Sequence, residues 1–252
     1  MTTAGGCFLS HTAWMIQYQF AVAGVALKRP ALSLAKCFGA LALCALASVA
    51  SAQTVASQGL ESLENFVKNT KTGSASFTQI VTSPSRDGQT PKTKSSSGSF
   101  EFSRPNRFRF IYKNPFEQSI VSDGQTLWLH DVGLNQVTTS KLAKALNGTP
   151  AAMIASATDI KGMQAEFVLK ALPDKDGFQW VQATPKTKDG QLQSFSMGFK
   201  STDKGQALAS LEILDGLGQR SVMLFNQFEV NPVLPDSVFK FTPPAGADVI
   251  KQ

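Results

Sequence analysis

From Ser74 onward, apolar and polar residues alternate in one short segment after another, with a turn cluster between each segment and the next. SASFTQIVT (74–82), SGSFEFSR (97–104), RFRFIY (107–112), QSIVS (118–122), QTLWLHD (125–131) and LNQVTTS (134–140) form a first series. FVLKALP (167–173), FQWVQAT (178–184), SFSMGFK (194–200), ALASLEIL (207–214), RSVMLFNQFEV (220–230) and VFKFTP (238–243) form a second. A period of two is the signature of half-buried strands. Asp123-Gly124 is a two-residue hairpin signal, and SPSRDGQTPKTKSSSG (83–98) reads as a hairpin connection. About ten or eleven short strands in mostly consecutive hairpins predict a large antiparallel sheet or partly closed barrel.

Two interruptions read as helix. In VASQGLESLENFVKN (55–69), Leu60, Leu63, Phe66 and Val67 share one face at helical spacing, with Glu61, Glu64 and Lys68 opposite. The middle of the chain, KLAKALNG (141–148) and TPAAMIASATD (149–159), lacks alternation. Thr149-Pro150 is a helix start, with a capping residue before a first-turn proline.

The first 52 residues differ from the rest. They hold all three cysteines, Cys7, Cys37 and Cys44, and no acidic residue. Lys28, Arg29 and Lys36 precede the apolar run CFGALALCALA (37–47), and Ala50-Ser51-Ala52 is a small-x-small cleavage signal. That run is shorter than the roughly 20 apolar residues of a membrane-spanning helix. The expectation is a leader over 1–52 with a cleavable export signal at its core (28–52), then a single domain over 53–252 outside the cytoplasm. Residues 1–27 sit oddly upstream of a signal's basic region, so translation is expected to start later, with Val25 a candidate.

Composition removes most catalytic classes from residues 53–252. There is no cysteine for thiol chemistry and a single histidine, His130, which excludes a multi-histidine metal site. A Ser-His-Asp triad would have to use His130, at the end of an alternating segment. No glycine loop has phosphate-cradling spacing. The leader's three bases supply half of the net charge of +6. What remains is too mild a charge to imply nucleic acid, despite the Arg107/Arg109 alternation. The expectation is a protein that is not an enzyme, with neither cofactor nor metal.

The abundant chemistry is aromatic and apolar. Fifteen of the 18 phenylalanines lie after Ala52. Phenylalanine makes no hydrogen bond, so many such rings on a curved sheet suit either a packed core or an alkyl guest. Phe100 and Phe102 share a strand face, as do Phe108 and Phe110. These four and Trp128 are expected to wall an apolar cavity, with Met153 and Ile154 facing it from a helical cover. Arg104 continues the Phe100/Phe102 face. If it points inward it needs hydrogen-bond acceptors such as helix-terminal carbonyls; if the strand ends at Ser103, it turns to solvent. Pattern alone leaves both open.

SRPNRFRF (103–110), IVSDGQTLWLHD (120–131), TPAAMIA (149–155) and FKFTPPAGADVI (239–250) together resemble the periplasmic outer-membrane lipoprotein carrier family, LolA. The resemblance runs in order along essentially all of residues 53–252. It implies an unclosed antiparallel β-barrel covered by a helical lid. It also implies a monomeric periplasmic shuttle that takes acylated lipoproteins from an inner-membrane lipoprotein-releasing ABC transporter to the outer-membrane receptor LolB. On the same resemblance Arg104 latches the lid and Phe108 accepts and passes on lipid. The family's tryptophan is replaced by Phe110, and an aromatic by His130. The alternative is an apolar-ligand sensor or glycolipid-binding protein on the same half-barrel, since fold does not fix function.

Overall fold

The computed structural model describes residues 50–85, 90–145, 154–155, 157–187 and 192–252. The chain divides into two units, Met1–Ala52 and Gln53–Gln252, and the sheet belongs to the second. Twelve strands form one sheet: β1 (Thr72–Thr82), β2 (Thr93–Ser103), β3 (Arg107–Asn114), β4 (Gln118–Asp123), β5 (Thr126–Asp131), β6 (Gln136–Lys141), β7 (Phe167–Lys175), β8 (Phe178–Pro185), β9 (Leu192–Thr202), β10 (Gly205–Asp215), β11 (Arg220–Val230) and β12 (Asp248–Lys251). Their order is β12-β6-β5-β4-β3-β2-β1-β11-β10-β9-β8-β7. Neighbours run antiparallel except β12 beside β6. β7 and β12 end the order without meeting, so the barrel is unclosed.

Two hairpin series are joined by one long-range pairing. Six consecutive strands, β1 to β6, form one wing, and β7 to β11 form the other. β1 and β11 zip them together from Gly73↔Val230 to Thr82↔Arg220. Register then aligns every inward side chain: Phe110 faces Phe100, Phe100 faces Ala75, Phe77 faces Phe225, and Met223 faces Leu211. Gly98 lies between Phe77 and Tyr112, whose rings meet edge to face at 5.0 Å. A Cβ at Gly98 would run into the Ile111 carbonyl.

Helix α1 (Ala50–Asn69) lays its apolar stripe on this inner face. Leu63, Phe66 and Val67 are fully buried, and Phe66 meets Phe102 at 6.1 Å and Phe199 at 5.4 Å. The short helices α2 (Leu142–Ala145) and α3 (Ile160–Glu166) add Leu142 and Met163 to the same core, joined by Ile154 and Ala155. Asp159 caps α3, its carboxylate accepting from the Gly162 amide. Covered in this way, the inner face is a packed core, with Phe77, Phe100, Phe102, Phe108, Phe195 and Phe199 almost wholly out of solvent.

Several expectations need correction. α3 falls where no helix was expected. The segment 93–96 continues β2 rather than a connection, with Ser95 opposite Ile80 and Ser96 opposite Gln79. Small hydroxyl side chains hid the strand from a hydrophobic pattern. VFKFTP is no strand: a 3-10 turn (Asp236–Phe239) and an extended run carry Phe239 and Phe241 across the outer face instead. Proline before and after this stretch disfavours ladder pairing.

Candidate functional site

Arg104 organises the site. It follows β2 directly, its amide donating to the Lys71 carbonyl at 2.8 Å. Its side chain turns inward. Nε donates to the Thr70 carbonyl, just beyond α1, at 2.8 Å. Nη1 donates to the carbonyls of Ile154 (2.6 Å), Ala155 (3.1 Å) and Ala157 (2.6 Å). The guanidinium also lies 5.2 Å from the Phe66 ring centroid and 5.0 Å from that of Phe102. One side chain thus joins the sheet, the end of α1 and the backbone of Ile154, Ala155 and Ala157.

Such carbonyls suit a cation, since the last carbonyls of a helical turn have no intrahelical partner and carry partial negative charge. Charge-assisted hydrogen bonds of this kind contribute about 1.5–3 kcal/mol each. Removing the guanidinium from water costs several kcal/mol. Burial lowers the Arg104 pKa to about 10, which still leaves it charged at neutrality. Among the described residues Nη2 is buried with no acceptor.

Phe100, Phe102, Phe108 and Phe110 share the inner wall with Arg104, each at most 3 % exposed. Phe100 stacks on Phe110 with centroids 4.4 Å apart. Ile154 is 2 % exposed and belongs to the same core, whereas Met153 lies outside the described residues. Trp128 does not line this wall. In β5 the inward positions are Leu127 and Leu129, opposite Ser122 and Ile120. Trp128 projects to the other face, 6.1 Å from Phe241. Ring size suggested a cavity residue, but strand parity decides the face.

Among the described residues the wall rings pack against α1 and the short helices rather than facing an open space. A hollow of about 320 Å³ lies instead on the opposite face, lined by Ile80, Trp180, Val222 and Leu224 among others. Its lining alternates with the inward Gln79, Val181 and Met223, so it does not open into the phenylalanine core.

The remaining candidates group into no catalytic centre. His130 is buried on the outer face, 5.8 Å from the Phe241 ring centroid, and among the described residues its Nε2 has no hydrogen-bond partner. Arg107 and Arg109 pair with Asp236 (2.6 Å) and Glu101 (3.1 Å), away from the phenylalanine wall. Among the described residues no three His, Cys, Asp or Glu side chains gather as a metal site would require.

Sequence reasoning missed a polar chain within the wall. Tyr112 Oη donates to Gln79 Oε1 at 3.1 Å, and Gln79 Nε2 donates to Ser221 Oγ at 2.8 Å. Gln79 and Ser221 are polar residues at inward positions of alternating strands, and that was the available signal.

A family model described as outer membrane lipoprotein carrier protein LolA matches residues 68–242. The chain belongs to the LolA family. It is 58 % identical over 217 residues to the outer-membrane lipoprotein carrier protein of Albidiferax ferrireducens, covering 86 % of this chain and 100 % of that one. A relative of the same name from Methylibium petroleiphilum is 54 % identical over 211 residues, covering 84 % and 96 % of the two chains. A third, from Leptothrix cholodnii, is 49 % identical over 215 residues, covering 85 % and 94 %. LolA membership accounts for the order of blocks from Ser103 to Ile250, and the unclosed sheet under helices is the architecture on which Arg104 and the phenylalanine wall sit.

Proposed function

We propose that this protein carries acylated lipoproteins between membranes, sheltering their acyl chains against the phenylalanine wall and releasing them when the Arg104 latch recloses. The observation that carries this reading is the Arg104 arrangement. One buried cation holds a helical segment over an apolar surface through backbone carbonyls alone. Each methylene moved out of water contributes about 0.8 kcal/mol. A chain of some fifteen methylenes therefore gains roughly 12 kcal/mol from a dry site. Acylated cargo cannot cross water unaided at a useful rate.

Among the described residues the wall rings are buried beneath α1, Ile154 and Ala155, so a guest enters by lifting one of these off the wall. A wall of rings without hydrogen-bonding groups can repack around an alkyl chain at little polar cost. The reading assigns the protein binding and hand-over, and no bond-making step. Its donor would be an inner-membrane lipoprotein-releasing ABC transporter and its acceptor the receptor LolB, with the carrier itself a monomer in the periplasm. No helix among the described residues is long and apolar enough to cross a membrane.

Two tests address this directly. Cargo stripped of its acyl groups should lose at least about a hundredfold in affinity. Equal binding of stripped and acylated cargo, compared by pull-down and titration, would turn the reading toward a chaperone of protein surfaces. Cleavage after Ala52 should leave Gln53 as the first residue of exported protein. N-terminal sequencing that finds a start well upstream would remove the cleaved leader.

A further inference from the structure

We propose that Gln79, Tyr112 and Ser221 form a subsite for acyl carbonyls, the neutral ester or amide groups through which acyl chains are attached. The inference rests on the carrier reading above. The three residues come from β1, β3 and β11, and each points to the inner face. They lie toward the end of the wall opposite Arg104. From Gly73, which faces Phe102, to Gln79 the path along β1 is about 20 Å.

Their hydrogen bonds run one way. Tyr112 donates to Gln79, and Gln79 donates to Ser221. Gln79 retains a second Nε2 hydrogen and Ser221 its hydroxyl hydrogen, and neither is used in the bonds of the described residues. Two spare donors suit ligand groups that only accept, as an acyl carbonyl does. The trio also lies nearer solvent than Phe100 and Phe102. Gln79, Tyr112 and Ser221 are 7–9 % exposed, against 1 % for Phe100 and Phe102. A tail lying under Phe100 and Phe102 would therefore bring its carbonyl end to this polar rim.

The trio itself offers a neutral group hydrogen bonds without charge. None of the three is a cation, and burial raises the Tyr112 pKa well above the ordinary tyrosine value, so it stays a neutral donor. A free carboxylate or a phosphate would find no counter-charge in the trio. A role confined to packing is distinguishable, because it would not separate an ester ligand from its ether twin.

The test uses the chain from Gln53 and two synthetic probes: a cysteine peptide carrying two ester-linked palmitoyl chains on a glyceryl group, and its ether twin without the carbonyls. The protein should hold the ester probe about tenfold tighter than the ether probe. Gln79→Leu and Ser221→Ala should each bring the two affinities to within about threefold with ether binding unchanged, and each should lower the thermal midpoint, because Tyr112 Oη or Gln79 Nε2 loses its partner. Ser221→Ala removes one oxygen only and keeps the test sound if Gln79→Leu folds poorly. No ester preference in the unsubstituted protein, or a preference that survives both substitutions, would overturn the subsite. Binding of neither probe would instead overturn the carrier reading. Dipalmitoyl phosphatidylglycerol and its ether twin separate the sources. The same preference there means the trio reads the ester whatever the head group, and preference on the peptide alone assigns it to acylated protein.

Discussion

Arg104→Leu should leave the protein able to take up acylated cargo but slow its release to a receptor by at least about tenfold. Leucine cannot donate to the carbonyls of Thr70, Ile154, Ala155 and Ala157 that Arg104 now engages. Each carbonyl left dry and unpaired costs about 1–3 kcal/mol, whereas burying the leucine side chain returns only about 1.5–3 kcal/mol in total. The carbonyls win, and the 154–157 segment moves to water. A cover that no longer recloses stops competing with the guest for the wall, so uptake is spared and unloading suffers. Amide hydrogen exchange around Ile154 and Ala155 should quicken, and a two-vesicle transfer assay should show cargo retained on the carrier. Unchanged protection together with normal delivery would remove the latch.

The second large effect is expected from Phe108→Glu. Phe108 is 1 % exposed and packs edge to face on Phe110 at 6.2 Å. A carboxylate there meets an apolar wall without a partner, at a cost of about 3–5 kcal/mol if it remains charged. The closed form weakens, and so does the wall offered to an alkyl chain, so co-purified acylated cargo should fall at least about tenfold. The pH dependence has a definite sign. Burial raises the glutamate pKa in the folded state, so the penalty is full at high pH and shrinks as pH falls through the raised value. Phe108→Leu, which stays apolar, should lose little. Cargo retention equal to that of the unsubstituted protein in Phe108→Glu would exclude this ring from the lipid path.

Strand parity was legible wherever alternation was clean. Phe100 with Phe102 and Phe108 with Phe110 share the wall because a period of two leaves no other choice. The same rule, applied to QTLWLH, points Leu127 and Leu129 inward and Trp128 outward, and the structure follows the rule rather than the size of the ring. Gln79 and Ser221 were legible in the same way, as polar residues on apolar faces. Other features were not legible. The start of β2 over 93–96, Thr-Lys-Ser-Ser, carries no hydrophobic pattern. VFKFTP carries the pattern yet packs as a turn and an extended strap, because its prolines and the outer-face contacts of Phe239 and Phe241 outweigh it.

The order of residues by itself determined the local chemistry: most of the strands, which face of each alternating strand is greasy, and that no thiol or multi-histidine chemistry is available after Ala52. Tertiary structure alone decided that β1 pairs with β11, that α1 and the short helices fill the interior, and that Arg104 turns inward onto the carbonyls of Thr70, Ile154, Ala155 and Ala157. Alternation is a property of neighbours in sequence, whereas the β1–β11 pairing joins residues some 150 positions apart. Every residue has a backbone carbonyl, so nothing in the side-chain sequence marks the ones a buried arginine will find.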